Sequence, residues 1–269
     1  MRIKKIIVRT LVILSVIYTL ICGGMYFFQE KFIFHPQKLD DNFLFQFQQK
    51  YIEKFFVMQD GTKLNALLFK ADNSKGLVFY LHGNSGSLKT CADIAKTFTD
   101  INYDILMLDY RGFGKSEGNL SNQEQIYSDI QTVYNQSKKG YDEKNIIVIG
   151  YSIGTGIAAE LASHNNPKLV ILQAPYYSLI DMMKRNYSYL PTFLLKYKFE
   201  TNKYITECKM PVIIFHGTKD DVVPYESSLM LKKHFKKFDT LITLKNQNHN
   251  NITQNIQYLN SIKSILASN

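Results

Sequence analysis

Residues 146–163 read IIVIGYSIGTGIAAELAS. Four β-branched aliphatic residues run into Gly150-Tyr151-Ser152-Ile153-Gly154, and a stretch of good helix formers follows at once. The pattern predicts a strand over 146–149 and a helix over 153–163, with G-x-S-x-G at their junction. That spacing has a geometric reason. A chain turning from strand to helix within two residues forces the middle residue into a strained backbone conformation, and glycine on either side leaves room for the turn. The Ser152 hydroxyl is then presented at the carboxyl end of the sheet and at a helix N-terminus, whose dipole favours developing negative charge.

Outward from this junction the same alternation continues. Residues 52–58 and 63–69 flank Asp60-Gly61, a hairpin signal. Strands are expected over 77–81, 105–108, 169–172, 212–215 and 241–244. Helices are expected over 88–99, 122–138, 225–235 and 253–266. Short apolar runs between amphipathic helices imply an α/β fold, a mostly parallel sheet covered on both faces, with antiparallel strands at one edge. Residues 176–209 break the alternation and are too long for an ordinary loop. They read as a small helical cap at the carboxyl ends of the strands, where open sheets bind ligands.

A serine hydroxyl needs a base to act as a nucleophile. Of the six histidines, His35 follows the N-terminal apolar run and His164 ends the helix after Ser152. His234 lies in a Lys-rich helix, and His82 and His216 each precede a glycine at a strand end. His249 sits in the polar loop Asn246-Gln247-Asn248-His249-Asn250-Asn251, between the last strand and the last helix, and is the expected general base and acid. The acid orienting it should follow the strand 212–215; Asp220 is the first choice, with Asp221 the alternative and Asp181 a weaker rival. An oxyanion hole needs two backbone N–H donors. Ile153, the residue after the nucleophile, is one candidate; Asn84, in the turn His82-Gly83-Asn84-Ser85-Gly86, is the other.

Composition narrows the class further. The chain has 269 residues, 45% hydrophobic and 20% charged, which excludes a disordered or collagen-like protein. Cys22, Cys91 and Cys208 have no zinc or redox spacing, and no metal, nucleotide or other cofactor is indicated. Of the net charge of +9, four positive charges are Arg2, Lys4, Lys5 and Arg9, so the remainder is only mildly basic and no nucleic-acid partner is expected. Residues 11–28 carry no charge. At about 1.5 Å per residue such a run, with its flanks, crosses a bilayer of about 30 Å. Residues 1–30 are therefore expected to be a membrane anchor, with 31–50 a connection and 51–269 the folded domain. Basic residues before the run place the N-terminus in the cytoplasm and the domain on the extracytoplasmic side. The competing reading is a cleaved signal peptide, although no A-x-A site follows the run.

Taken together these motifs resemble the α/β-hydrolase superfamily, and within it the Bem46-like or ABHD13-like branch of membrane-anchored serine hydrolases. The likeness extends to Phe28-Gln29-Glu30-Lys31-Phe32-Ile33-Phe34-His35-Pro36, to Asp60-Gly61-Thr62-Lys63-Leu64, and to Asp109-Tyr110-Arg111-Gly112-Phe113-Gly114-Lys115-Ser116-Glu117-Gly118. Where many relatives carry glycine shortly before the histidine, this chain has Gln247-Asn248. The resemblance implies an eight-stranded sheet, and it supports Ser152, Asp220 and His249 as a triad with Asn84 and Ile153 as oxyanion donors. The expected activity is cleavage of an ester or thioester of a small-molecule or lipid acyl substrate. The cap aromatics Tyr176, Tyr177, Tyr187, Tyr189 and Phe193, with Leu194, suit either an apolar acyl group or plain packing of the cap on the sheet. The alternative from another class is a non-catalytic scaffold of the same fold at the membrane.

Overall fold

A computed structural model of the chain describes residues 2–267. It begins with α1 (Arg2–Ile33), followed by β1 (His35–Pro36), β2 (Tyr51–Val57), β3 (Lys63–Phe69), β4 (Leu77–Leu81) and β5 (Ser85–Gly86). Then come α2 (Ala92–Thr99), β6 (Asp104–Leu108), α3 (Gln123–Ser137), β7 (Ile146–Tyr151), α4 (Gly154–Ser163) and β8 (Leu169–Gln173). The chain closes with α5 (Leu179–Asn186), α6 (Thr201–Glu207), β9 (Val212–Gly217), α7 (Glu226–Lys232), β10 (Thr240–Leu244) and α8 (Ile256–Ala267).

Eight strands form one sheet in the order β10-β9-β8-β7-β4-β6-β3-β2. Every pairing is parallel except β2–β3 and β3–β6, so the antiparallel strands lie at one edge, as the hairpin signal predicts. The period of two along a strand separates the two cores. Leu77, Phe79 and Leu81 of β4 face the layer of α3, α4 and α6, whereas Val78 and Tyr80 face α2 and α8. In β7, Ile146 and Val148 take the first side and Ile147 and Ile149 the second. Strands buried on both faces have no polar positions to alternate, which is why they read as continuous apolar runs.

Four segments differ from the sequence reading. The helix expected over 88–99 is a 3-10 turn (Leu88–Thr90) followed by α2, and the last helix starts later than expected, after Asn251 in a left-handed conformation (φ 60°) and a 3-10 turn (Ile252–Gln254). Residues 176–209 divide: α6 packs on α4 as part of the helical layer, whereas the turn Thr192–Leu194 touches both α1 and α5, which face each other across an apolar groove. The stretch expected to be a mere connection is built into the body. Phe34, Leu39 and Phe45 are buried, and β1 pairs in parallel with β5. Isolated anchor residues set in polar sequence have no period, so no pattern announces them.

Helix α1 is the one helix among the described residues that is long and apolar enough to cross a membrane, with a mean hydropathy of 2.3 in its most apolar window, none of it buried. Its C-terminal end docks on the body. The Gln29 side chain bonds Leu194 O at 3.1 Å, and Glu30 meets Lys196 Nζ at 3.1 Å and Tyr197 Oη at 3.2 Å.

Candidate active site

The junction between β7 and α4 has the geometry the motif demands. Ser152 sits at φ 52°, a left-handed conformation that costs a non-glycine residue about 1–2 kcal/mol. Neighbours hold it there: Ser152 N donates to Gln173 O at 2.9 Å, and Ser152 O accepts from Thr155 N at 2.9 Å and Thr155 Oγ1 at 2.6 Å. The flanking glycines are required by space. A Cβ on Gly150 would fall 2.4 Å from Gly154 O, and one on Gly154 would fall 2.3 Å from Leu81 O and 2.7 Å from His82 O. The start of α4 therefore lies directly against the end of β4, beside the turn that carries Asn84.

His249 arrives from the loop between β10 and α8. Its Nε2 is 3.0 Å from Ser152 Oγ and its Nδ1 is 2.8 Å from Asp220 Oδ2. Because a carboxylate can only accept, Nδ1 carries the proton and Nε2 is left to accept from the serine hydroxyl. Gln247, at the departure from the family pattern, clamps this loop. Its Nε2 donates to Asn250 O at 2.6 Å and its Oε1 accepts from Asn255 Nδ2 at 2.9 Å. The Tyr151 ring lies 5.4 Å from the His249 ring at 33°. Its hydroxyl, pushed up to about 12 by burial and by the Asp220 charge, donates to His249 O at 3.2 Å.

Asp220 is the carboxylate brought to His249. Asp221 is exposed, and Asp181 sits on α5 paired with Arg185 at 2.9 Å. Burial alone would raise the Asp220 carboxyl, but hydrogen bonds from His216 and His249, the His249 charge and the Val223 N–H outweigh it and hold the group well below the usual carboxylate range. Its Oδ1 accepts from Val222 N at 3.0 Å and Val223 N at 2.8 Å. The sequence reading missed His216. Fully buried at the end of β9, it sets Nε2 3.2 Å from Asp220 Oδ2 and 3.0 Å from Val223 O, with Nδ1 2.6 Å from Ser228 Oγ. The available signal was its position four residues before the acid, at the end of the strand that delivers it.

Of the two expected oxyanion donors, Ile153 follows Ser152 in the chain and Asn84 lines the same cavity as Ser152. Among the described residues neither Asn84 N nor Ile153 N donates to a backbone carbonyl. A cavity of about 210 Å³ opens here, lined among others by His82, Asn84, Leu88, Ile94, Tyr151, Ser152 and His249. None of the cap aromatics lines it. Tyr176 is a packing residue whose hydroxyl donates to Ile153 O at 3.0 Å, and Tyr177 bonds His234. Tyr187, Tyr189 and Phe193 are exposed, and Leu194 lines a separate apolar groove between α1 and α5. In the cavity wall His82 donates from Nδ1 to Gly83 O at 2.7 Å, and its Nε2 stands 3.5 Å from Asp109 Oδ1. Burial draws His82 down to about 4 and pushes Asp109 up to about 7, so both are neutral at mildly acidic pH.

Comparison with known proteins agrees with this architecture. The family model described as "Serine aminopeptidase, S33" (Hydrolase_4) matches residues 72–200, a span that includes Ser152 and ends before Asp220 and His249. The Pyrococcus furiosus esterase Pf2001 superposes with a TM-score of 0.72 at 19% identity, over 88% of this chain and 97% of its own. The chain has the α/β-hydrolase fold, and its similarities lie with α/β hydrolases. Curated relatives include the Alpha/beta hydrolase domain-containing protein 17C of Xenopus tropicalis, 29% identical over 72% of this chain and 62% of its own length. The Lysophosphatidylserine lipase ABHD12 of Danio rerio is 28% identical over 57% of this chain and 46% of its own. The chain thus spans less than two thirds of the length of those two relatives. The likenesses support hydrolase activity.

Proposed function

We propose that this hydrolase is a membrane-anchored serine hydrolase that cleaves a carboxylic ester or thioester through an acyl-enzyme. The observation that carries the reading is the relay from Ser152 Oγ through His249 to Asp220, at 3.0 Å and 2.8 Å, opening on a cavity that Asn84 also lines. Ser152 Oγ attacks the acyl carbonyl as His249 Nε2 takes its proton, and Asp220 stabilises the imidazolium so formed. Asn84 N–H and Ile153 N–H receive the oxyanion, each worth about 10²–10³ in rate. His249 returns the proton to the departing alcohol or thiol. Water, deprotonated by the same imidazole, then attacks the acyl-enzyme, and the acid leaves with Ser152 restored.

Helix α1 supports a membrane location, with Arg2, Lys4, Lys5 and Arg9 marking the cytoplasmic end and the hydrolase body on the other side. A lipid or other apolar acyl substrate fits that location and the lipase among the relatives. Its acyl chain would meet Leu88 and Ile94 at the cavity rather than the cap aromatics. The test is fluorophosphonate labelling of the purified full-length protein beside Ser152→Ala. Labelling that the substitution abolishes is the expected result. A folded wild-type protein that stays unlabelled refutes the reading.

A further inference from the structure

We propose that residues 33–37, where α1 leaves its helix, form a strut that positions the oxyanion loop, so that the Asn84 N–H is aimed by the end of the N-terminal helix and not by the sheet alone. The inference rests on the serine-hydrolase reading above. The Asn84 side-chain amide donates to Ile33 O at 2.8 Å. Ile33 is the last residue of α1, and its carbonyl is one of those a helix end leaves without a partner. The backbone carbonyl of Asn84 accepts from His35 N at 2.8 Å, and Gly86 O accepts from Gln37 N at 2.8 Å. With its side chain and its carbonyl both held, Asn84 has little freedom left to swing its own N–H.

A two-residue parallel pairing does not hold itself together, so something else must fix β1. Phe34 does so from inside the core, edge-on to Tyr197 at 5.3 Å and Phe113 at 6.4 Å. Gln37 O also accepts from Gly114 N at 2.9 Å. The strut is therefore fastened to the body on both sides of the point where the loop hangs from it. The loop in turn lies over the nucleophile: a Cβ on Gly83 would stand 3.7 Å from Ser152 Cβ and 3.3 Å from the Tyr151 ring. A displacement of about 1 Å at such a place costs on the order of 10²-fold in rate.

Asn84→Ala in the full-length protein in detergent micelles tests this directly, because it keeps the backbone N–H and removes only the tie to Ile33. On 4-nitrophenyl acetate, kcat falls at least tenfold while KM stays within twofold. The inhibition constant of a soluble alkylboronic acid, which mimics the tetrahedral intermediate, rises by the factor by which kcat/KM falls. A residue that merely supports the fold would move the thermal midpoint without that parallel. Gln37→Ala, which cuts only the 3.1 Å bond from Ser87 Oγ to Gln37 Oε1, provides the second variant should Asn84→Ala not fold; a twofold to fivefold loss of kcat is expected from it. Wild-type kcat and boronate affinity in the folded variants overturn the strut while leaving Ser152 as nucleophile. An unlabelled, folded wild-type protein in the fluorophosphonate experiment overturns both.

Discussion

Asp220→Asn offers the sharpest separation between a working relay and an incidental cluster. Asp220 accepts four hydrogen bonds: Val222 N and Val223 N on Oδ1, and His249 Nδ1 at 2.8 Å and His216 Nε2 at 3.2 Å on Oδ2. An asparagine supplies one oxygen and one NH2 group. With the oxygen toward the two backbone N–H groups, the NH2 must face His249 and His216 as a donor. The His249 proton then moves from Nδ1 to Nε2, which confronts the Ser152 hydroxyl at 3.0 Å as a donor and can no longer accept its proton. The reverse orientation keeps that proton on Nδ1 but sets the NH2 against the N–H groups of exposed Val222 and buried Val223, at about 1–3 kcal/mol for the buried one. The first orientation is therefore favoured, and in it the base is lost while shape and volume are kept. The expected fall is about 10³–10⁴ in the rate constant for fluorophosphonate labelling, or about 4–5.5 kcal/mol of barrier. Circular dichroism and the thermal midpoint check that the variant is folded. A folded Asp220→Asn protein labelled within tenfold of wild type would refute the argument, because His249 would then not depend on that carboxylate.

Three further outcomes follow from buried groups. Between about pH 4 and 6.5 the unfolded His82 carries a proton that the native one lacks, whereas the native Asp109 carries one that the unfolded one lacks, so the two contributions cancel. Asp109→Asn leaves His82, and stability then rises with pH across that window; His82→Gln leaves Asp109, and stability falls with pH, each by up to about 1.4 kcal/mol per pH unit. Urea titrations at pH 5 and 6.5 read the two slopes, and slopes of the same sign in both variants would contradict the assignment. Arg111→Met strands Asp129, which its guanidinium holds at 2.6 Å and 2.8 Å in a buried site, and lowers the free energy of unfolding by about 3–5 kcal/mol; an unchanged urea midpoint would speak against it. Gly154→Ala drives a Cβ to 2.3 Å from Leu81 O with backbone on both sides. It should cost about 1–3 kcal/mol and slow labelling more than tenfold, because the helix start carrying the Ile153 N–H is what must move; a wild-type thermal midpoint and labelling rate would contradict this.

The sequence by itself determined whatever repeats along the chain. Apolar runs at strand length, amphipathic spacing at helix length and the Gly150–Gly154 elbow are local patterns, because a strand buried on both faces and a strand-to-helix turn each leave a mark in consecutive residues. The choice of Ser152, His249 and Asp220 rested on their places at strand ends and in one late loop, which chain order carries. Tertiary structure alone decided what meets across long separations. Nothing in residues 33–37 announces their pairing with the Asn84 loop, about fifty residues on. The aromatics of 176–209 were legible as apolar, yet whether they line a cavity, pack a helix or face outward depends on which elements the fold lays beside them. Burial against a distant partner has no period of its own, so the sequence names the residue while only the packed chain names its neighbour.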